Sequence, residues 1–395
     1  MGLVSHCDMR SFIDLDRTLG NQPLRLGVIL SRADTGRGRE ATVRDQLREL
    51  LRSLAETTRI ASITASSAIE GVEVAPQRIR RLVATRREPE RFRNRNEREF
   101  AGYRDAMDEI TRATEQEAFS VPYVLHLHRL LFGHTDARGG RLKTEQNLIV
   151  SYEGGQRRTL FTPPSPKETE FLLPELFERY RLAVEARAAH PILLLGLLIL
   201  DFLAIHPVAD GNGRLARLLT VHGLLREGYE VARYVSIEQR MFDTRDGYYA
   251  ALYASQRRWP EGEHDAWPWL GYLVEVLAYA YESFEQRVVA QRASSGSKQE
   301  RVREYVLQHA SPRFRLSDIR RALPGVSDAT IRLMLARLKQ EGHIMPDPND
   351  HTGPTAAWIK SDLAEDEATR LAVEETRAVR ADRAATAGRR TTRRP

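Results

Sequence analysis

From about Glu40 onward, Val43, Leu47, Leu50, Leu51 and Leu54 recur three and four positions apart. That is the spacing of one helical face, and it predicts a helix reaching Thr58. IASITASSAIEG predicts a second helix over 59–71, with Gly71 as its C-terminal stop. Residues 92–132 read as two more helices, the second carrying HLHRLLF. The pattern changes at 139–166, GGRLKTEQNLIVSYEGGQRRTLFTPPSP, where Asn147–Tyr152 and Arg158–Thr162 read as two short strands around Glu153-Gly154-Gly155-Gln156. This is a hairpin signal, closed off by Pro163, Pro164 and Pro166. Helical spacing resumes near Lys167 and lasts to about Arg292. It includes PILLLGLLILDFLAI (191–205), the most apolar stretch of the chain. That run is too short to span a bilayer and carries Asp201, so it predicts a buried core helix and no membrane partner.

ASSGSK (293–298) reads as a linker. Beyond it come a helix over Glu300–Gln308, a shorter one over Leu316–Leu323, and a Pro324-Gly325-Val326 turn. Ser327 then caps a helix with Ile331, Met334, Leu335 and Leu338 on one face. Two β-like pieces, His343–Met345 and Ala357–Ile359, follow. Helix, helix, turn, helix, hairpin is the order of a winged helix-turn-helix. The expected organisation is a mixed N-terminal segment (1–38) ending in the turn-rich ADTGRGRE, and a mainly α body (39–292). After these come the linker, a winged helix-turn-helix (299–361), and a basic, unstructured tail (362–395).

The net charge of +6 changes little in this picture. From Val379 to the end there are six arginines and one aspartate, so the folded part is close to neutral. The high pI therefore does not argue for a nucleic-acid-binding body. The C-terminal region 299–360 carries ten basic and seven acidic residues, which permits DNA contact there but does not require it. Protein docking is an equal expectation for it. A single cysteine, Cys7, allows no disulfide within the chain and suits a reducing compartment such as the cytoplasm. His126 and His128 lie two apart, on different helical faces, which disfavours a metal pair.

The chemistry concentrates in HPVADGNGRLAR (206–217). Gly211 and Gly213 flank Asn212 at the start of a helix. Their backbone N–H groups and the helix N-terminus make a phosphate cradle. Arg214 and Arg217, three apart, suit bidentate phosphate contact on one side of that helix. The Asp210 carboxylate suits Mg²⁺. His206, at the end of the apolar helix, suits a general base.

This stretch resembles the signature of the Fic family, His-Pro-Phe-x-Asp/Glu-Gly-Asn-Gly-Arg-x-x-Arg. Val208 stands where the family usually has Phe, a smaller plug that predicts a less firmly anchored loop. Phe202 and Ile205 match the apolar lead-in, the hairpin matches the family's flap (147–164), and SIEQR…GYYAAL (236–252) matches the segment after the motif. The resemblance implies a Fic-type helical core with a β-hairpin flap. It also implies an enzyme that transfers AMP from ATP, with Mg²⁺, to a Ser, Thr or Tyr hydroxyl of a target protein docked on the flap. His206 would be the base and Asp210 the metal ligand. Gly211, Asn212 and Gly213 would hold the α- and β-phosphates, Arg214 would neutralise developing charge, and Arg217 would take the γ-phosphate. Tyr249 and Gln256 would line the adenine pocket.

Ser66-x-x-x-Glu70-Gly71 is similar to the family's inhibitory motif, which implies that Glu70 pairs with Arg217 and denies it to the γ-phosphate. Self-modification and a homodimer are further implications. Two other readings stand beside transfer: hydrolytic de-AMPylation, and a DNA-binding regulator whose core senses nucleotide. Intact His206, Asp210, Asn212 and Arg217 favour an active enzyme over a sensor.

Overall fold

The structure is a computed structural model that describes residues 10–44, 47–84, 92–113, 117–153, 156–294, 298–348, 350 and 357–361. The expected basic tail, Cys7 and the centre of the hairpin turn lie outside these residues. The chain divides into two compact units, Met1–Gln286 and Arg287–Pro395.

In the first unit, α1 (Leu15–Leu19) and α2 (Leu24–Arg44) precede α3 (Arg48–Ile69) and α4 (Pro76–Ala84). Then come α5 (Arg95–Ala113), α6 (Val121–Leu131) and the antiparallel hairpin of β1 (Ile149–Glu153) and β2 (Gln156–Phe161). The remaining helices are α7 (Pro166–Glu185), α8 (Pro191–Ile205), α9 (Asn212–Arg226), α10 (Ile237–Asp243), α11 (Arg245–Gln256) and α12 (Trp267–Ser294). The division at 286/287 falls inside α12, upstream of the 293–298 linker.

The core forms around α8, which is apolar on every side and buried from Ile192 to Ile205. It packs against α7, α9 and α11, while α9 also meets α5. Burying a helix all round requires partners on every side, which explains why its sequence lacks amphipathic spacing. Its one acid, Asp201, is fully buried. Its carboxylate accepts the Ser11 amide (3.2 Å) and hydroxyl (2.5 Å) and the Trp259 indole N–H (2.7 Å), which tie the N-terminal segment to the core.

Two local expectations are corrected. ADTGRGRE is not a turn but part of α2, which runs through the 38/39 boundary. Gly36 is there for close approach: a Cβ on it would stand 2.7 Å from the Tyr281 ring. The helix expected over Glu40–Thr58 is also divided. α2 ends at Arg44, and α3 begins at Arg48 and absorbs the 59–71 segment as its C-terminal half.

Two predictions arise from these contacts. Gly102 in α5 faces the backbone of α6, where a Cβ would collide with the Leu131 carbonyl oxygen. Gly102→Ala gains about 1 kcal/mol of helix propensity but forces two backbones apart, so a net loss of about 2 kcal/mol is expected in urea unfolding. Glu40 of α2 is buried and accepts the Tyr281 hydroxyl at 3.1 Å. Burial pushes its carboxyl up to about 7, against the opposing pull of the Tyr281 hydrogen bond. The folded state then holds a proton that the unfolded state releases near 4.5. Stability therefore falls as pH rises from about 4.5 to 7, by up to about 3 kcal/mol. Glu40→Gln should flatten that fall in thermal melts across the window.

The second unit contains α13 (Lys298–Glu304), a π turn (Tyr305–His309), β3 (Arg313–Arg315), α14 (Leu316–Ala322), α15 (Asp328–Gln340), β4 (Ile344–Pro346) and β5 (Ala357–Lys360). The strands form one antiparallel sheet in the order β3-β5-β4. Ser327 caps α15, and Ile331, Met334, Leu335 and Leu338 enter the core with Val302, Phe314 and Ile344, as the spacing predicts. β3 was not expected. Three residues alternating exposed-buried-exposed around Phe314 give too short a signal to read locally. Asp328 pairs with Arg320 of α14.

Among the described residues, no helix is long and apolar enough to cross a membrane. Nor does any group of three His, Cys, Asp or Glu among them hold a metal-binding arrangement.

Candidate active site

α8 stops at Ile205 because Pro207 cannot continue it, and His206 takes the left-handed conformation that ends the helix (φ 53°, ψ 60°). Further along, Gly211, at φ 88°, opens α9. A side chain there would also press on the Phe132 ring, 3.2 Å from an added Cβ. Between them the loop is pinned from both ends. The Asn212 amide accepts from the Val208 N–H (3.0 Å) and donates to the Val208 carbonyl (2.7 Å). Asn147 donates to the same carbonyl at 2.9 Å. Val208 is fully buried. Beside the smaller plug, these polar ties hold the loop through the Val208 backbone.

His206 Nδ1 lies 3.3 Å from the Leu203 carbonyl, which can only accept. Nδ1 therefore carries the proton, and Nε2 keeps its lone pair. Burial pushes the imidazolium down to about 4, with Lys143 adding to the effect and the Leu203 carbonyl, Glu70 and Asp210 opposing it. The ring is neutral across the physiological range. The HLHRLLF segment acts in support. His128, buried on α6, accepts the Gly140 amide through Nδ1 (3.0 Å) and hydrogen-bonds the Asp210 backbone.

A cavity of about 450 Å³ brings together Glu70, His206, Asp210, Gly211, Asn212, Gly213, Arg217, Tyr249 and Gln256. The hairpin closes one side with Ile149, Val150 and Phe161. Arg217 is buried, and its guanidinium donates to the Ser66 hydroxyl (2.8 Å), the Ser66 carbonyl (3.1 Å) and the Glu70 carboxylate (2.8 Å). Burial works against the Arg217 charge, and Glu70 together with Tyr248 and Tyr103 more than offsets it. Glu70 caps the C-terminus of α3 just before Gly71, at φ 73°. It reaches so close to α9 that a Cβ on Gly213 would sit 2.5 Å from its carboxylate oxygen.

Arg214 departs from expectation. It does not line the cavity, although its guanidinium comes within 3.8 Å of the Asp210 carboxylate. It is buried against α5, donating to Glu99 at 2.9 Å, with its guanidinium 5.2 Å from the centre of the Phe132 ring. Glu99 takes its charge, 115 residues away in sequence, and no local spacing encodes that partner.

The sequence reading also missed Tyr248, buried in the cavity wall, and a polar layer behind Arg217. There Glu238 accepts from Ser62 (2.7 Å) and Tyr103 (3.3 Å) and ties α3 to α5 and α10. The hydroxyl run in IASITASS was the one available signal for that layer.

This arrangement defines a helical core of Fic type. Residues 118–224 match the Fic/DOC family model. Protein adenylyltransferase Fic of Drosophila melanogaster is 31% identical over 166 residues, which is 42% of this chain and 32% of that protein. The Aedes aegypti protein of the same name is 29% identical over 198 residues, 47% of this chain and 38% of its own length. The chain thus spans about a third of the length of these relatives. A Fic family protein from Desulfovibrio desulfuricans has the same fold (TM-score 0.56, 20% identity), covering 86% of this chain and 96% of that one. A fragment of Fic-1 from C. elegans gives a TM-score of 0.50 at 20% identity, covering 69% of this chain and 76% of that one.

Proposed function

We propose that the protein is an ATP-dependent protein adenylyltransferase held in check by Glu70. The observation that carries the reading is the neutral His206, its Nδ1–H committed to Leu203, lining one cavity with the glycine loop and Arg217. In this reading a target Ser, Thr or Tyr hydroxyl attacks the α-phosphorus of ATP. His206 Nε2 takes its proton, the new O–P bond forms, and the bond to the bridging oxygen of the β-phosphate breaks, releasing pyrophosphate. The amides of Gly211, Asn212 and Gly213 hold phosphate oxygens at the N-terminus of α9, and Arg217 takes the γ-phosphate once Glu70 withdraws. Tyr249 and Gln256 flank the base.

Asp210 stands at the cavity with a well-exposed side chain. A single carboxylate beside a phosphate cradle fits Mg²⁺, which completes its shell with phosphate oxygens and water. Bound there, Mg²⁺ would neutralise the leaving pyrophosphate. Because Glu99 holds Arg214, that residue orients the start of α9 rather than meeting the transferred group. A target segment would add as a strand along the 147–164 hairpin.

Intact-mass spectrometry after incubation with Mg²⁺ and ATP tests the reading on wild type, Glu70→Gly and Glu70→Gly/His206→Ala. One added AMP in the single variant alone supports transfer, brake and base together. No addition in any of the three, with a candidate target supplied and ATP binding shown separately, removes the reading.

A further inference from the structure

The catalytic base has an unexplained neighbour. Lys143 lies in the segment between α6 and β1, and it is only 4% exposed. Its ammonium donates to the Ile205 carbonyl at 2.9 Å, the last one of α8, and its backbone N–H donates to the Pro207 carbonyl at 2.9 Å. The two bonds bracket His206. Left-handed backbone at a residue with a side chain is strained, and it persists only where surrounding contacts impose it. Here the Ile205 and Pro207 carbonyls are both held, and the His206 N–H bonds the Phe202 carbonyl at 3.0 Å.

Resting on the reading of His206 as the base, we propose that Lys143 is its positioning residue, fixing the left-handed turn at His206 and placing a positive charge beside the ring. An ammonium is suited to both tasks. It satisfies an otherwise orphaned carbonyl at a helix C-terminus, where positive charge is favoured. It also adds a fixed positive charge beside an imidazole, which disfavours a second one. The charged groups acting most on His206 are Lys143, Glu70 of α3 and Asp210 of the loop, and Arg217 of α9 lines the same cavity. Around Lys143 itself, Glu168 of α7 is the nearby acid. Burial pushes the Lys143 ammonium down to about 8, so the charge is in place at neutral pH and fades above it.

The test uses Lys143→Met, which loses donor and charge, and Lys143→Arg, which keeps both, in the full-length Glu70→Gly chain. Two readouts are taken: an NMR titration of the His206 ring and the turnover of AMP transfer. In Lys143→Met the ring midpoint should rise by about one pH unit. Turnover should fall at least about tenfold with ATP Kd unchanged. Lys143→Arg should restore both. An unmoved midpoint together with undiminished turnover in Lys143→Met overturns the proposal.

If Lys143→Met does not fold, Lys143→Gln, a donor without charge, decides. A raised midpoint supports the proposal and an unchanged one overturns it. Absence of transfer in Glu70→Gly with Lys143 intact would count against the adenylyltransferase reading, while the NMR titration still judges Lys143.

Discussion

Glu70→Gly is expected to raise AMP transfer on the order of 100-fold, the upper part of the range for a regulatory coupling. The Arg217 guanidinium is engaged along one edge, with Nε on the Ser66 hydroxyl and Nη2 on the Ser66 carbonyl and Glu70. A γ-phosphate wants the same fork. While Glu70 holds it, ATP can bind only with its phosphates displaced, and an α-phosphorus off the line of attack does not react. Removing the carboxylate leaves Arg217 cationic and still oriented by Ser66, so the γ-phosphate site survives the substitution. Glycine at 70 also fits locally, since the residue already closes α3 next to Gly71. Steady-state transfer at saturating ATP measures the effect. Equal rates in wild type and variant, with ATP bound to both, would remove the brake.

The second large effect is the loss of the base. In the Glu70→Gly background, His206→Ala should lower turnover by about 10²- to 10⁴-fold, the usual contribution of a positioned proton acceptor. The Kd for ATP should stay within about twofold, because the phosphate contacts come from Gly211–Gly213 and Arg217. The same residue predicts the pH profile. Burial pushes His206 down to about 4, so its neutral, active form dominates at every pH above that value. Turnover should therefore show no acidic limb between about pH 5.5 and 7.5, where a solvent-exposed histidine near 6.5 would impose one. A rate that falls about threefold from pH 7 to 6 would show that the ring titrates normally, near 6.5, and is not held as described.

Much of this was legible along the chain. The apolar run 191–205 could only be an all-round buried helix, and Pro207 with two closely spaced glycines marked where it ends and α9 begins. Ser66, Glu70 and Gly71 sit at the end of a helix wherever that helix goes, and the hairpin follows from alternation around Gly154-Gly155. These features are local: period, turn chemistry and capping act within a few residues.

The tertiary structure decided where each polar head goes. Arg214 and Arg217 are three apart on one helix and read alike, yet Glu99 claims the first and Glu70 the second. ADTGRGRE reads as a turn because two glycines weaken a helix in isolation, but Gly36 is what lets α2 lie against Tyr281. Lys143 and Asn147 stand in a loop without periodicity, and only folding places them against the backbone on either side of His206. The difference is physical. Apolar burial is non-directional, so spacing along the chain suffices to announce it. A buried charge or amide needs a specific partner at hydrogen-bond distance, and for Arg217 that partner, Ser66, lies 151 residues away.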